Sequence, residues 1–569
     1  MRLALTLVVV LLAACSDQQG TEHSSPATQQ ADRVFINGAV YTVDAERSWA
    51  EAVAVRDGHV IAVGGNQEIQ QLIGDNTSVT DLNGQMMLPG FHDSHTHLLI
   101  GIATDKECDL LRIPTLEGVQ AKLTQCRRLA GFGDERWVVG GGWAEWLWDD
   151  ANPHKSYLDE LFPDRPVYIE SSYGHSAWAN SKALELAGIT ADTPDPDGGI
   201  IMRDAVSGEP SGTLRDGAMM IVQAVIPEAS MEQRMERINA AIEFAHSYGI
   251  TALIEPGLDA HLIEPVVQIA DEGGLKLRTK ISLSPIAWHP GVFDEGVFEF
   301  LESREQWRRD DLDVDSVKIY MDGVIESGTG ALLEPYTEGD FGLGPRFYTQ
   351  QEVNDYLVRF EQMGLQVHVH AVGDAGIRMA LDGFEAARRI NGETGLRHHI
   401  VHLQLMNDAD APRFAELNVS ATFQSLWAWP DPSVLELDVP ILGEARAWSM
   451  YNIGTVHRSG GRIVGGSDFF VTDLNPLLAI EAAVTRQNPY ENTGPVLDED
   501  ERVDLATMID AYTVNGAYLM GLDDRQGSIE TGKRADFVVL DRNLFEIPSA
   551  DISDAKVVMT VFGGEDVYN

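Results

Sequence analysis

The sequence predicts an α/β protein: a TIM-like (β/α)8 barrel, a small β-sandwich domain built from both chain ends, and an inserted lid region. Strand-like apolar runs at residues 137–140, 167–170, 251–254, 317–320, 366–370 and 462–465 alternate with amphipathic helical stretches, which argues for parallel βα units. Both chain ends instead carry short β-branched runs separated by turn residues. His, Lys and Asp residues recur where successive apolar runs end, and that end of a strand is where a barrel keeps its chemistry. At 569 residues the chain has room for two or three domains and a large core.

The N-terminus reads as a targeting segment over residues 1–15. Arg2 supplies the positive start, residues 3–12 an apolar run, and Leu12-Ala13-Ala14-Cys15 a small-residue cleavage site. The run falls short of the roughly 20 apolar residues that a membrane-spanning helix needs. It resembles a bacterial lipoprotein signal, which implies lipidation at Cys15. Ser16 after it resembles an outer-membrane sorting signal. An ordinary secretory signal with a coincidental Cys is the alternative. Residues 16–32 are polar and aperiodic, a flexible tether. The expected location is the cell envelope, anchored by lipid and facing the periplasm, with membrane contact only through that anchor.

Charge narrows the partners. Lys+Arg 41 against Asp+Glu 88 give a formal net charge of −47. Phosphate binding needs clustered cations, so nucleic acid is excluded as an expected partner. A solvated acidic surface in a salt-rich setting is the simplest reading, and an acidic binding surface the alternative. The expected partner is a small-molecule substrate, and a homodimer is compatible with the sequence.

Residues 33–86 together with 520–569 are expected to form the composite β-sandwich domain. Asp57-Gly58 between two β-branched runs is a hairpin signal. The barrel is expected over 87–519. Its insertion, at about 103–225, is rich in Trp, Gly and Pro and reads as a roof over the barrel mouth. Cys108 and Cys126 lie within it, either bridged or as two buried thiols.

The apolar run 86–90 leads into His92-Asp93-Ser94-His95-Thr96-His97. His95 and His97 are two residues apart, so on a strand they share a face and can grip one metal ion. Lys318 lies inside the apolar run 316–321, either an edge-strand lysine with its amine in water or a lysine carbamylated by carbon dioxide to bridge two metals. His370 and His402 each end a β-rich run. His368 reads as a core or supporting histidine, and His398 and His399 as structural. Asp468 follows Gly466-Ser467, where a turn or helix cap is the plain alternative to a ligand.

Several motifs together resemble the amidohydrolase superfamily, in its amidohydrolase family 3, YtcJ-like branch, similar to N-substituted formamide deformylases. They are Leu88-Pro89-Gly90-Phe91-His92-Asp93-Ser94-His95-Thr96-His97, Gly174-His175-Ser176, Val317-Lys318-Ile319-Tyr320-Met321-Asp322-Gly323, His370-Ala371-Val372-Gly373-Asp374, His402-Leu403-Gln404, Gly466-Ser467-Asp468 and the run 527–540. The resemblance covers nearly everything from Arg33 onward. It implies a metal-dependent hydrolase barrel in which His95, His97 and Asp468 hold one metal. Lys318 would bridge to a second metal held by His370 and His402. His92 stands where the family usually has an aliphatic residue and is expected to be structural.

The implied cofactor is a divalent metal, one or two ions per chain. Imidazole and carboxylate ligands suit zinc first, with iron or manganese as alternatives. The implied reaction is hydrolysis of a non-peptide, amide-type carbon–nitrogen bond of a small molecule by metal-activated hydroxide. Asp468 is the catalytic candidate that takes the water proton and passes it to the leaving nitrogen, and His175 is a substrate-binding candidate, with a structural role within the lid as the alternative. An ester or phosphoester hydrolase on the same scaffold, or a non-catalytic binding lipoprotein, are the competing readings. The aromatic segments 143–148 and 423–429 suggest either core packing or a flat, apolar substrate group.

Overall fold

A computed structural model describes residues 30–99, 106–110, 113, 115–129, 137–148, 152–172, 176–196, 199–227, 230–258, 260–284, 293–339 and 341–569. Its centre is an eight-stranded parallel sheet. The strands are β1 (Phe91–Asp93), β2 (Ile250–Leu258), β3 (Arg278–Leu283), β4 (Leu312–Tyr320), β5 (Gln366–Ala371), β6 (His399–His402), β7 (Ser420–Phe423) and β8 (Ile463–Gly465), each paired with its sequence neighbour. The Ser94 N–H donates to the Gly465 carbonyl at 3.0 Å and the Asp468 N–H to the His95 carbonyl at 2.7 Å. These bonds join the first strand's exit to the last strand's and bring the sheet round into a nearly closed barrel, as predicted.

Long helices face the barrel strands with apolar stripes. The helix Asp374–Asn391 buries Ile377, Leu381 and Phe384. The helix Gln350–Gln362 buries Val353, Leu357 and Phe360 and opens with a capping box between Thr349 and Glu352. These residues belong to one core cluster with strand residues Val317, Val367 and Ile400.

Two sheets flank the barrel. In one, Glu565–Tyr568, Val557–Phe562 and Phe537–Leu540 continue into Met86–Pro89, Ala39–Tyr41 and Trp49–Ala50, so strands from the two chain ends lie side by side. The other orders His59–Gly64, Ala52–Arg56, Arg33–Ile36 and Ser78–Asp81. Phe35, Val53 and Val55 of the second pack with Val40, Met87, Phe537 and Val561 of the first in a single cluster. Asp57 and Gly58 turn the hairpin with φ of 50° and 72°, the left-handed pair that a two-residue turn requires.

The chain between β1 and β2 forms a third sheet, ordered Gly199–Arg203, Pro210–Asp216, Ser176–Ala179, Val167–Ser171, Val138–Trp143 and Lys106–Asp109. It has its own apolar clusters around Trp143 and Trp178 and around Tyr168 and Leu214. The runs at 137–140 and 167–170, which the alternation suggested as barrel units, belong here; they do pair in parallel, but with each other. Cys108 and Cys126 are bridged, tying this sheet's edge strand to the helix Leu116–Leu129. Barrel strands β3 and β7 are the two that the sequence pattern left unmarked.

Candidate metal centre

The site is built where β1 and β8 meet. Asp93, the last residue of β1, turns its carboxylate toward the strand's exit, where Oδ1 accepts from the His95 N–H at 3.3 Å and the Ser467 N–H at 2.9 Å. One side chain thus holds the segments that carry His95, His97 and Asp468. Asp468 takes a left-handed backbone, φ 56°, which turns its carboxylate toward the two imidazoles. Its Oδ1 lies 3.2 Å from His95 Nε2 and 3.3 Å from His97 Nε2, and its Oδ2 lies 3.9 Å from His402 Nδ1.

His402 reaches this cluster by breaking the strand's alternation. His399 faces His368, with ring centroids 3.9 Å apart, so regular alternation would put His402 on the opposite face. A φ of 78° at His402 re-aims it. Its ring then lies 4.4 Å from that of His370 and 4.9 Å from that of His95, and Trp427 stacks on it at 5.8 Å. Its Nδ1 lies 2.9 Å from Gln424 Oε1. His370 Nε2 lies 3.1 Å from the Gly323 carbonyl. Asp322 secures that corner by accepting from the backbone N–H groups of Ala331, Val372 and Gly373.

Lys318 is buried to 2% exposure in mid-β4, with its Nζ 5.1 Å from the Tyr320 ring. Burial pulls its amine down to about 7, against the opposing pull of the Asp468 carboxylate. Burial likewise lowers His95 and His370 to about 3, helped by Lys318, and takes His402 well below its ordinary value. Burial pushes Asp468 up, but His95, His97 and His402 outweigh it and hold the carboxyl well below the usual range. His95, His370 and His402 are therefore neutral imidazoles beside an ionised carboxylate, the protonation states in which such groups bind metal.

A divalent ion fits these residues. His95, His402 and Asp468 each offer a ligand atom, all within 4.8 Å of one another and all buried. His95 Nε2 is buried without a hydrogen bond although Asp468 Oδ1 is 3.2 Å away. The two atoms are misaligned for a bond with each other, as expected when both are aimed at a common third point. Nitrogen and oxygen donors of this kind suit zinc, iron or manganese.

The structure thus gathers His95, His97, His402 and Asp468, with His370 beside His402, and Lys318 is buried within electrostatic reach of His95 and Asp468. His175 and Cys15 lie outside the described residues. His92 is structural, as expected: Nδ1 meets the Gly90 carbonyl and Nε2 meets Gln526. The supporting roles of Asp93 and Gln424 were missed, because a lone Asp or Gln beside a motif carries no spacing signal. The aromatic segments mostly pack: Trp143 donates its indole N–H to the Ile169 carbonyl in the inserted sheet, and Phe423 is core, while Trp427 touches a site residue.

The amidohydrolase family profile matches residues 78–568. A putative amidohydrolase of Bacillus subtilis, YtcJ, is 30% identical over 543 residues, covering 94% of this chain and 99% of that protein. An N-substituted formamide deformylase of Arthrobacter pascens is 29% identical over 561 residues, covering 94% of this chain and 98% of its own. An uncharacterized metal-dependent hydrolase from Pyrococcus furiosus superposes with a TM-score of 0.70 at 25% identity, covering 90% of this chain and 99% of that one. With nearly the whole chain matched, this protein belongs to the amidohydrolase family, hydrolases that act on carbon–nitrogen bonds.

Proposed function

We propose that this enzyme hydrolyses a non-peptide, amide-type carbon–nitrogen bond of a small molecule at a centre of one or two divalent ions, zinc first among them. The observation that carries the proposal is the convergence of His95, His97 and His402 on the Asp468 carboxylate within 3.2 to 3.9 Å. The likeness to a formamide deformylase supports an amide-type substrate.

His95, His97 and Asp468 are assigned to one ion, and His370 and His402 to a second, with Lys318 between them. A metal bound there supplies Lewis acidity and lowers the pKa of water from 15.7 to about 7. Asp468 accepts the proton that the attacking water sheds and delivers it to the departing nitrogen, so that the C–N bond breaks with an amine rather than an amide anion leaving. An amine held near pKa 7 has a substantial neutral fraction at physiological pH, and only the neutral amine attacks carbon dioxide. Lys318 would form a new N–C bond, release one proton and present a carboxylate to both ions.

The inserted sheet is assigned to the roof of the site, with His175 binding substrate. Cys15 is assigned to a lipid anchor in the cell envelope. No helix among the described residues is long and apolar enough to cross a membrane.

The deciding test is metal content per chain by elemental analysis, wild type beside Lys318→Ala, purified without chelator. About two ions falling to one or fewer in the variant supports the bridged centre. One ion in both reassigns Lys318, His370 and His402 to substrate handling. No ion in either, even after zinc is supplied, overturns the metal reading. A substrate screen follows, and turnover of esters or phosphoesters in preference to amides would overturn the amide assignment.

A further inference from the structure

Behind the ligands runs a chain of buried hydrogen bonds that the reaction itself does not use. His95 Nδ1 lies 2.8 Å from His368 Nε2. His368 Nδ1 lies 2.9 Å from the Ser282 hydroxyl, which lies 2.8 Å from the hydroxyl of Ser316. The chain begins at a site residue at the exit of β1 and crosses the barrel interior through β5, β3 and β4. His95, His368, Ser282 and Ser316 all have 0% exposure, so water cannot substitute for any partner.

The ends of this chain fix its direction. If His95 carried its proton on Nε2, that N–H would point past Asp468 Oδ1, which lies 3.2 Å away but too poorly aligned to accept, and would be left without a hydrogen bond. With the proton on Nδ1, each donor from His95 to Ser282 meets an acceptor in turn. His95 donates to His368 Nε2, His368 then carries its own proton on Nδ1 and donates to Ser282, and Ser282 donates to Ser316. The ring of His368 is clamped against His399 at a centroid distance of 3.9 Å, and its backbone pairs in register with Lys318 and His399.

We propose that His368, backed by Ser282, is a positioning residue that locks His95 in the tautomer whose Nε2 lone pair faces the metal. The inference rests on the metal reading above and deepens it. It separates His368 from an ordinary core histidine: the ring accepts the hydrogen bond of the Nδ1 proton that a ligand must keep on the side away from the ion.

The test is zinc affinity of the full-length protein by competition against a chromophoric chelator, with cobalt(II) spectra and the Tm of metal-free protein recorded alongside. His368→Leu removes the acceptor; zinc binding should weaken by about 10- to 100-fold, with a changed cobalt spectrum. His368→Gln keeps a carbonyl acceptor near the position of Nε2 and should hold zinc within about threefold of wild type. Ser282→Ala, one step further back, should lose affinity by an intermediate factor. A Tm drop in metal-free His368→Leu with unchanged zinc affinity and cobalt spectrum would make His368 merely structural and overturn the proposal. Equal losses in His368→Leu and a folded His368→Gln would overturn it too. Failure of the wild type to bind zinc or cobalt would instead overturn the metal reading, and the relay with it.

Discussion

At the scale of single residues, Asp468 and His402 share one device. Each leaves strand geometry for the left-handed region, φ 56° and 78°, at the point where its side chain must turn inward. A non-glycine residue held there costs about 1–3 kcal/mol, so the surrounding bonds must over-determine it; Asp468 is gripped through its own N–H, and its neighbour Ser467 by Asp93. Asp468→Asn preserves that backbone and an oxygen for the metal but cannot accept a proton. Turnover should fall by about 10²- to 10⁴-fold while bound metal is largely retained, and near-wild-type turnover would end the proton-shuttle assignment. Further out, Asp438 is fully buried, and Gln404 Nε2 donates to it and to Glu326. Burial, with Glu326 and Asp431 nearby, pushes its carboxyl up to about 9. The native state therefore holds a proton that the unfolded chain sheds near pH 4, and stability falls as pH rises through that window, by up to about 1.4 kcal/mol per pH unit. Asp438→Asn should melt higher than wild type at pH 8 and show a shallower slope between pH 6 and 8; thermal scans at both pH values would reveal an unchanged slope if the carboxyl were ionised.

The secondary-structure elements show what the sequence could and could not disclose. Strands β4 and β5 announce themselves as apolar runs ending in chemistry. Strand β3 is hidden by Arg278 and Lys280, which would be poor choices for a buried strand were they not paired. Arg278 meets Asp311 and Asp536, and Lys280 meets Asp313, partners that lie 33 residues or more away in the chain. Strand β7, Ser420–Phe423, interleaves Ser and Thr with Ala and Phe and ends in no ligand-type residue, so neither an apolar run nor a site residue marks it. The HxH pair and the later ligands were readable because residue type and position at a strand's end are local facts. That His402 needs a positive φ, or that His95 leans on His368, depends on tertiary contacts no local pattern encodes. The inserted sheet carries its own prediction. The Cys108–Cys126 bridge closes a loop with a sequence separation of 18, worth about 3 kcal/mol in chain-entropy terms. Cys108→Ser with Cys126→Ser should expose the 106–225 region to limited proteolysis while leaving metal content at the barrel near wild type. Concerted loss of both would show that insertion and barrel fold as one unit.

For the molecule as a whole, the dominant electrostatic fact is the net charge of −47. Self-repulsion among excess carboxylates destabilises the compact state, and salt weakens it as the Debye length contracts from about 30 Å at 0.01 M to about 10 Å at 0.1 M and 3 Å at 1 M. Salt also weakens attractive pairs, so the sign of its effect depends on where those pairs sit. The ones that join the composite sheets to the barrel are sheltered: Arg278 and Asp536 are 8% and 3% exposed at their side chains, and the Arg278 guanidinium also lies 3.8 Å above the Phe562 ring. Buried pairs are screened far less than surface ones, and the exposed pairs, such as Lys276 with Glu565, contribute about 0–1 kcal/mol at best. Relief of repulsion therefore outweighs loss of attraction. The Tm of metal-free protein should rise by several degrees between 10 mM and 0.5 M sodium chloride, with most of the gain below 0.2 M, where the Debye length changes fastest. A Tm that falls over that range would mean that exposed ion pairs, rather than the sheltered ones around Arg278, hold the composite sheets to the barrel.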